Sequence, residues 1–195
     1  MPRSSAPEIA LLRETLSLYG RSWPDEHASV TLFTGLLDEA DAPMPGADPF
    51  SRERLGGHFT ASSWLVDRSG TRVLLTHHRK LERWLQLGGH ADGDRDLARV
   101  ALREAEEESG LSGLTVEPEM FDLDRHWIPE RGDVPGHWHY DVRYVVHAGD
   151  DEGYVVSEES HDLAWRSIDE ILADASSDES MLRMAKKWME RAGKG

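Results

Sequence analysis

Near the N-terminus, apolar residues recur at helical spacing. Ile9, Leu11, Leu12, Leu16 and Leu18 predict a helix over residues 7–19 that stops at Gly20. A second helix is expected from Pro24, with Ser22 as its cap and Val30, Leu32, Phe33, Leu36 and Leu37 as its apolar stripe. Residues 38–57, DEADAPMPGADPFSRERLGG, mix proline, glycine and charge and read as a loop. From His58 the pattern changes to short strands. HFTASSWLVD, a turn at Arg68-Ser69-Gly70 and TRVLLTHH predict a hairpin, followed by the brief strand WLQL. A helix over residues 96–109 should end at Gly110, where a left-handed cap is favoured. Further strands are expected in LTVEPEMFDL, HYDVRYVVHA and HDLAWRS, and further helices over 168–173 and 179–192. Strands interspersed with helices favour an α/β fold over a bundle. The organisation expected is a helical extension over residues 1–50 and one domain over 51–195.

Composition narrows the classes of function. A net charge of −15 disfavours wrapping nucleic acid, whose phosphates are held by clustered Lys and Arg. An anionic substrate must then be met locally, by bound cations or a small basic patch. The absence of cysteine excludes disulfides, thiolate metal sites and a cysteine nucleophile, and leaves ten histidines as the nitrogen ligands to follow. No secretory pattern opens the chain and no apolar run approaches the ~20 residues of a membrane span, so a cytoplasmic protein that avoids membranes is expected.

The stretch richest in chemistry is residues 89–111, GHADGDRDLARVALREAEEESGL. On a helix, Glu104, Glu107 and Glu108 project within one arc of about 100°, while Glu106 points to solvent. Ala98, Ala101, Leu102 and Ala105 form the neighbouring apolar stripe. Like charges so close destabilise a helix and ask for a cation, and hard ions such as Mg²⁺ or Mn²⁺ favour such oxygens. Arg103, four residues before Glu107, is spaced to bridge to it.

The same stretch resembles the box of the Nudix hydrolases (MutT-like enzymes), G-x5-E-x7-R-E-U-x-E-E-x-G-U with U aliphatic. Gly89, Arg103-Glu104, Ala105, Glu107-Glu108 and Gly110-Leu111 stand at its fixed positions. One position departs: Arg95 stands where the family has its first glutamate, and Asp92, Asp94 or Asp96 are the partners nearest to it in sequence. The resemblance implies a Nudix-type α/β/α sandwich with a mixed sheet, here carrying the N-terminal helical extension. It further implies that Glu104, Glu107 and Glu108 hold Mg²⁺ or Mn²⁺, with the Gly88 carbonyl as a further ligand. Arg103 would orient the acids, and the reaction would be hydrolysis of a phosphoanhydride bond. The substrate expected is a nucleoside diphosphate linked to another moiety, or a related diphosphate. A homodimer is left open. Glu107, Glu108 or a loop acid such as Glu158 or Glu159 would serve as base, and the basic run His77-His78-Arg79-Lys80 could meet phosphates. Of the tryptophans, Trp64, Trp84, Trp127 and Trp138 are candidates to stack on a base, with core packing the default.

Two alternatives stand beside this reading. HFTASSWL and the later Gly88-Gly89-His90 resemble isopentenyl diphosphate isomerases, which share the fold but place a catalytic cysteine where Gly88 stands. In those enzymes the histidines matching His58 and His90 bind a metal, and an acidic pair falls where His139 and Asp141 stand. A second site for a transition metal such as Zn²⁺ is therefore expected at His58, His90, His139 and Asp141. The other alternative is a non-catalytic Nudix ligand sensor, disfavoured by the intact glutamates and by N-terminal helices that are not basic.

Overall fold

The computed structural model describes residues 7–40, 48–78, 83–155 and 162–192. Helix α1 spans Pro7–Ser22 and runs through Gly20 rather than stopping there. Gly20 faces Val30, whose methyls would lie 3.5 Å from an added Cβ. The stop comes from Pro24, which lacks an amide hydrogen and disfavours helical backbone at the residue before it. A 3₁₀ turn, Pro24–Glu26, leads into α2, His27–Glu39. Ser22 therefore lies inside α1, and the α2 cap position, Glu26, makes no side-chain cap bond. The buried stripe of α1 is Ile9, Leu12, Leu16 and Tyr19, which keeps the 3.6-residue period, whereas Leu11 and Leu18 are exposed. On α2, Phe33, Leu36 and Leu37 are buried and Leu32 is exposed.

The hairpin forms as its pattern predicts. β1, His58–Val66, pairs antiparallel with β2, Arg72–His78, in the register Val66↔Val73. The Asp67 carboxylate closes the turn by accepting from the amides of Thr71 and Arg72, from Ser69 Oγ and from Arg72 Nε. The remaining strands are β3, Arg83–Leu85; β4, Leu87–His90; β5, Thr115–Ile128; β6, His137–His147; and β7, Leu163–Ser167. The seven form one sheet ordered β3-β2-β1-β6-β5, with β4 paired to β1 and β7 to β2. Helices α3, Leu97–Ser109, α4, Ile168–Ala173, and α5, Glu179–Ala192, complete the chain. No helix among the described residues is long and apolar enough to cross a membrane.

The described residues divide into two compact units. The first draws on segments within 1–61, 89–100 and 118–144, the second on segments within 62–88, 101–117 and 145–195. Aromatic rings organise the first: Phe33 meets Tyr140 edge-on at 5.3 Å, and Phe50 lies 4.9 Å from Phe59. The second closes on Leu65, Leu74, Leu87, Ala105, Leu111, Leu114, Val146 and Leu163. Each large side chain so buried contributes about 1.5–3 kcal/mol. Ala105 turns the apolar side of α3 into this core, which leaves the side bearing the glutamates outside it.

Candidate catalytic face and histidine cluster

Both ends of α3 are fixed locally. Asp96 Oδ1 accepts from the Arg99 amide at 3.1 Å, satisfying one of the helix's first free donors. At the other end Gly110 adopts φ +68°, its amide bonds the Glu106 carbonyl, and an added Cβ would stand 3.1 Å from Val155 Cβ. Val155 is held there by its amide, which donates to the Ser109 carbonyl at 2.8 Å. Glycine meets both the conformation and the close approach.

Glu104, Glu107 and Glu108 thus sit in the last turns of α3, where negative charge opposes the helix dipole by about 0.3–1 kcal/mol per group. Two are tethered. Glu108 Oε2 accepts from the Gly88 amide at 3.0 Å, and Glu104 Oε1 accepts from Arg103 at 2.9 Å. Glu106 and Glu107 are exposed. The i,i+4 bridge from Arg103 to Glu107 expected from spacing is replaced by the pair with Glu104, whose side chain is only 18% exposed and gains more from a partner than an exposed acid does. The three acids are not drawn into one tight cage: among the described residues, the group of three donor atoms within 4.8 Å is made of histidines. An all-carboxylate donor set on one helix face fits a hard, partly hydrated cation of the Mg²⁺ or Mn²⁺ type.

Arg95 does not use its nearest acids. Arg52 takes Asp92, and Arg99 takes Asp94 and Asp96. Arg95 instead reaches Asp48 at 3.5 Å and lies over the Phe50 ring at 5.6 Å. A more distant acid thus compensates its charge near the start of α3.

In the first unit, strand ends bring together three of the four residues singled out for a second metal. His58 opens β1, His90 closes β4 and His139 lies near the start of β6; one ring nitrogen from each lies within 4.8 Å of the other two. Ring centroids stand 5.2 Å apart for His58 and His90, 4.9 Å for His58 and His139, and 5.1 Å for His90 and His139. Burial, followed by a bond to the Arg54 carbonyl that works the other way, leaves the His58 pKa lowered. Burial, then the charge of Arg52, lowers His90 to about 4. Burial, then neighbouring His90 and His58, lowers His139 to about 2. These imidazoles are neutral at pH 7 and keep a lone pair. Asp141 does not join the group: its Oδ1 accepts from Thr60 and its Oδ2 from Arg143, both at 2.9 Å.

Sequence reasoning missed several neighbours. His137 lies 3.2 Å from His139, Nε2 to Nε2, and His126 stands 5.5 Å from His139 between ring centroids. Arg143, almost fully buried, bonds Asp122, Asp124 and Asp141. Burial works against its charge, but the three carboxylates outweigh that and raise its pKa. The signal was present as alternation, His137, His139, Asp141 and Arg143 along β6 and Asp122, Asp124 and His126 along β5, since every second residue of a strand shares a face. Arg79 and Lys80, and the loop acids Glu158 and Glu159, lie outside the described residues. Of the tryptophans, Trp64 is buried, Trp84 packs on His77 at 5.0 Å, and Trp127 is half-exposed against Trp138.

Comparison with known proteins places this geometry in a family. The family model described as NUDIX domain matches residues 57–186. Among solved structures, a NUDIX-family hydrolase from Clostridium perfringens is 28% identical, covering 69% of this chain and 97% of that one, with a TM-score of 0.52. An Ap4A hydrolase from C. elegans, in a binary complex, is 15% identical over 70% of this chain and 98% of its own, with a TM-score of 0.54. The MutT protein of Methanosarcina mazei Go1 is 17% identical over 71% and 96%, with a TM-score of 0.53. These two show a shared α/β fold. No curated protein sequence matches the chain. With well over half of its 195 residues matched and the box glutamates of α3 in place, the chain belongs to the NUDIX domain family, as one of its hydrolases.

Proposed function

We propose that the protein is a divalent-metal-dependent hydrolase that cleaves a phosphoanhydride bond in a nucleoside diphosphate linked to another moiety, or in a related diphosphate. The observation that carries this is the glutamate side of α3, with Glu108 anchored to the Gly88 amide and Glu104 to Arg103. Glu104, Glu107 and Glu108 would hold the cation. Mg²⁺ or Mn²⁺ bound there supplies charge neutralisation for the phosphates and acidifies a water.

The protein's own groups do the rest. Glu108 keeps one oxygen on the Gly88 amide, which restrains its rotamer. Arg103 fixes Glu104 in the same way. Glu107, exposed, is the group best free to take the proton of an attacking water. A carboxylate is a weak base, so the rate rests on positioning and charge stabilisation more than on basicity.

The test is a substrate panel. Nucleotide sugars, dinucleoside polyphosphates, ADP-ribose, NADH, coenzyme A and nucleoside triphosphates are assayed for nucleotide or phosphate release with Mg²⁺, with Mn²⁺ and with chelator. Cation-dependent release from a diphosphate-linked nucleoside is expected. Release that persists in chelator, or from simple phosphomonoesters alone, would overturn the proposal.

A further inference from the structure

We propose that His58, His90 and His139 together bind one divalent transition-metal ion of the Zn²⁺ or Co²⁺ type, which ties the start of β1, the end of β4 and the start of β6. The site is separate in chemistry from the carboxylates of α3. Three imidazole nitrogens suit Zn²⁺, Co²⁺ or Ni²⁺ and suit Mg²⁺ poorly.

The hydrogen bonds around the rings leave a lone pair available on two of the three. His58 Nδ1 lies 3.3 Å from the Arg54 carbonyl oxygen. A carbonyl only accepts, so Nδ1 carries the hydrogen and Nε2 keeps the lone pair. That Nε2 is buried and has no hydrogen-bond partner, on a residue 1% exposed. A polar atom enclosed in this way is costly unless something binds it. His137 Nδ1 lies 2.8 Å from the Pro135 carbonyl and therefore also carries its hydrogen. Its Nε2 must then accept from His139 Nε2, 3.2 Å away, which leaves His139 Nδ1 with the free lone pair. Backbone carbonyls, directly or through His137, thus set the tautomers of two of the three rings, as supports of metal-binding histidines do. His137 is a positioning residue in this scheme.

Distances and charge agree. Nitrogens each about 2.0–2.1 Å from a tetrahedral ion stand about 3.4 Å apart. Donors already within 4.8 Å need only small side-chain rotations to reach that spacing. Neutral imidazoles bring no charge to offset a dication, but the row beside them does. Arg143 is set against three aspartates, Asp122, Asp124 and Asp141, while Arg52, whose charge reaches His58 and His90, is itself paired with Asp92. Asp124 also reaches His126 Nδ1 at 3.2 Å, and the His126 ring adjoins His139. Asp141, with one oxygen bonded to Thr60 and the other to Arg143, acts here through charge and not as a ligand.

The experiment uses the full chain without an affinity tag, freed of metal by chelator and titrated with Co²⁺. Wild type should develop visible absorption that saturates at one equivalent, and Zn²⁺ should raise its melting temperature. Glu104→Gln/Glu108→Gln should do the same, while His90→Ala and His139→Ala, folded by circular dichroism, should bind at least about a hundredfold more weakly. His137→Ala should keep the stoichiometry and lose about tenfold or more in affinity. Binding that survives the histidine changes, disappears with the glutamate changes, or never becomes stoichiometric in wild type would overturn the proposal. X-ray absorption at the zinc edge reads the same point without a variant. Three nitrogens at about 2.0–2.1 Å would support it, and an all-oxygen shell would overturn it.

Discussion

Arg143→Met removes the guanidinium that bonds Asp122, Asp124 and Asp141, two of them buried and Asp124 partly so, while keeping most of the side-chain volume. The guanidinium is 4% exposed, Asp122 is 0% and the Asp141 side chain 4%, and the three ion pairs measure 3.1, 3.3 and 2.9 Å. Breaking a buried pair from one side costs about 3–5 kcal/mol, because the stranded charge has lost water and gains nothing in return. Here three acids lose this partner in one change, so the upper part of that range is expected. Against a total stability of about 5–15 kcal/mol, this is a large fraction. Urea denaturation followed by tryptophan fluorescence would read it as a lowered midpoint with unchanged slope. Arg143→Lys should fall between, since a point charge cannot serve three carboxylates as a planar fork does. A loss below about 1 kcal/mol for Arg143→Met, the range of an exposed pair, would contradict a buried network held by Arg143.

Other perturbations test separate parts of the account. Asp67, buried at the hairpin turn, has its pKa lowered below the ordinary 3.8: burial raises it, but hydrogen bonds led by the Arg72 amide outweigh that. Its ionised form therefore stabilises the fold above the unfolded-state value, and that contribution is lost as pH falls through the lower folded value. Asp67→Asn should cost about 1–3 kcal/mol at pH 7, with the gap to wild type closing in acid below pH 3.8; a gap independent of pH would contradict it. Gly110→Ala, at φ +68° and against Val155, should lose about 1–2 kcal/mol in thermal or chemical melts, and a neutral result would remove the need for glycine there. Arg95→Gln should keep cation-dependent turnover and lose at most about 1 kcal/mol, the worth of a partly exposed pair with Asp48 at 3.5 Å; inactivity in a folded variant would assign Arg95 a part in substrate binding.

Much of the fold was legible because local signals agreed. Period-two alternation on both sides of Arg68-Ser69-Gly70 marks the hairpin, and Gly110 marks the end of α3. The errors near Gly20 and Ser22 arise where tertiary contact with Val30 and the fixed backbone of Pro24 decide what a cap rule alone cannot. In the candidate sites, spacing on one helix identified which glutamates share a face but not which partner each takes. Arg103 chose Glu104 and Gly88 reached Glu108 by its amide, outcomes set by burial and by chain approach. Convergence of His58, His90 and His139 depends on strand pairing across long stretches of sequence, and the chain hints at it only through a resemblance. The buried Arg143 network is invisible until β5 and β6 lie side by side, although its alternating pattern can be read afterwards.

On the proposed function, the α3 glutamates would hold the cation that makes hydrolysis possible. Steady-state turnover of the best substrate from the panel, with saturating Mg²⁺ or Mn²⁺, compares Glu107→Gln and Glu108→Gln with the exposed neighbour Glu106→Gln. A fall of about a hundredfold or more in kcat is expected for the first two with folding intact, and little change for the third. Equal effects at all three positions, or full activity in Glu107→Gln and Glu108→Gln, would contradict it.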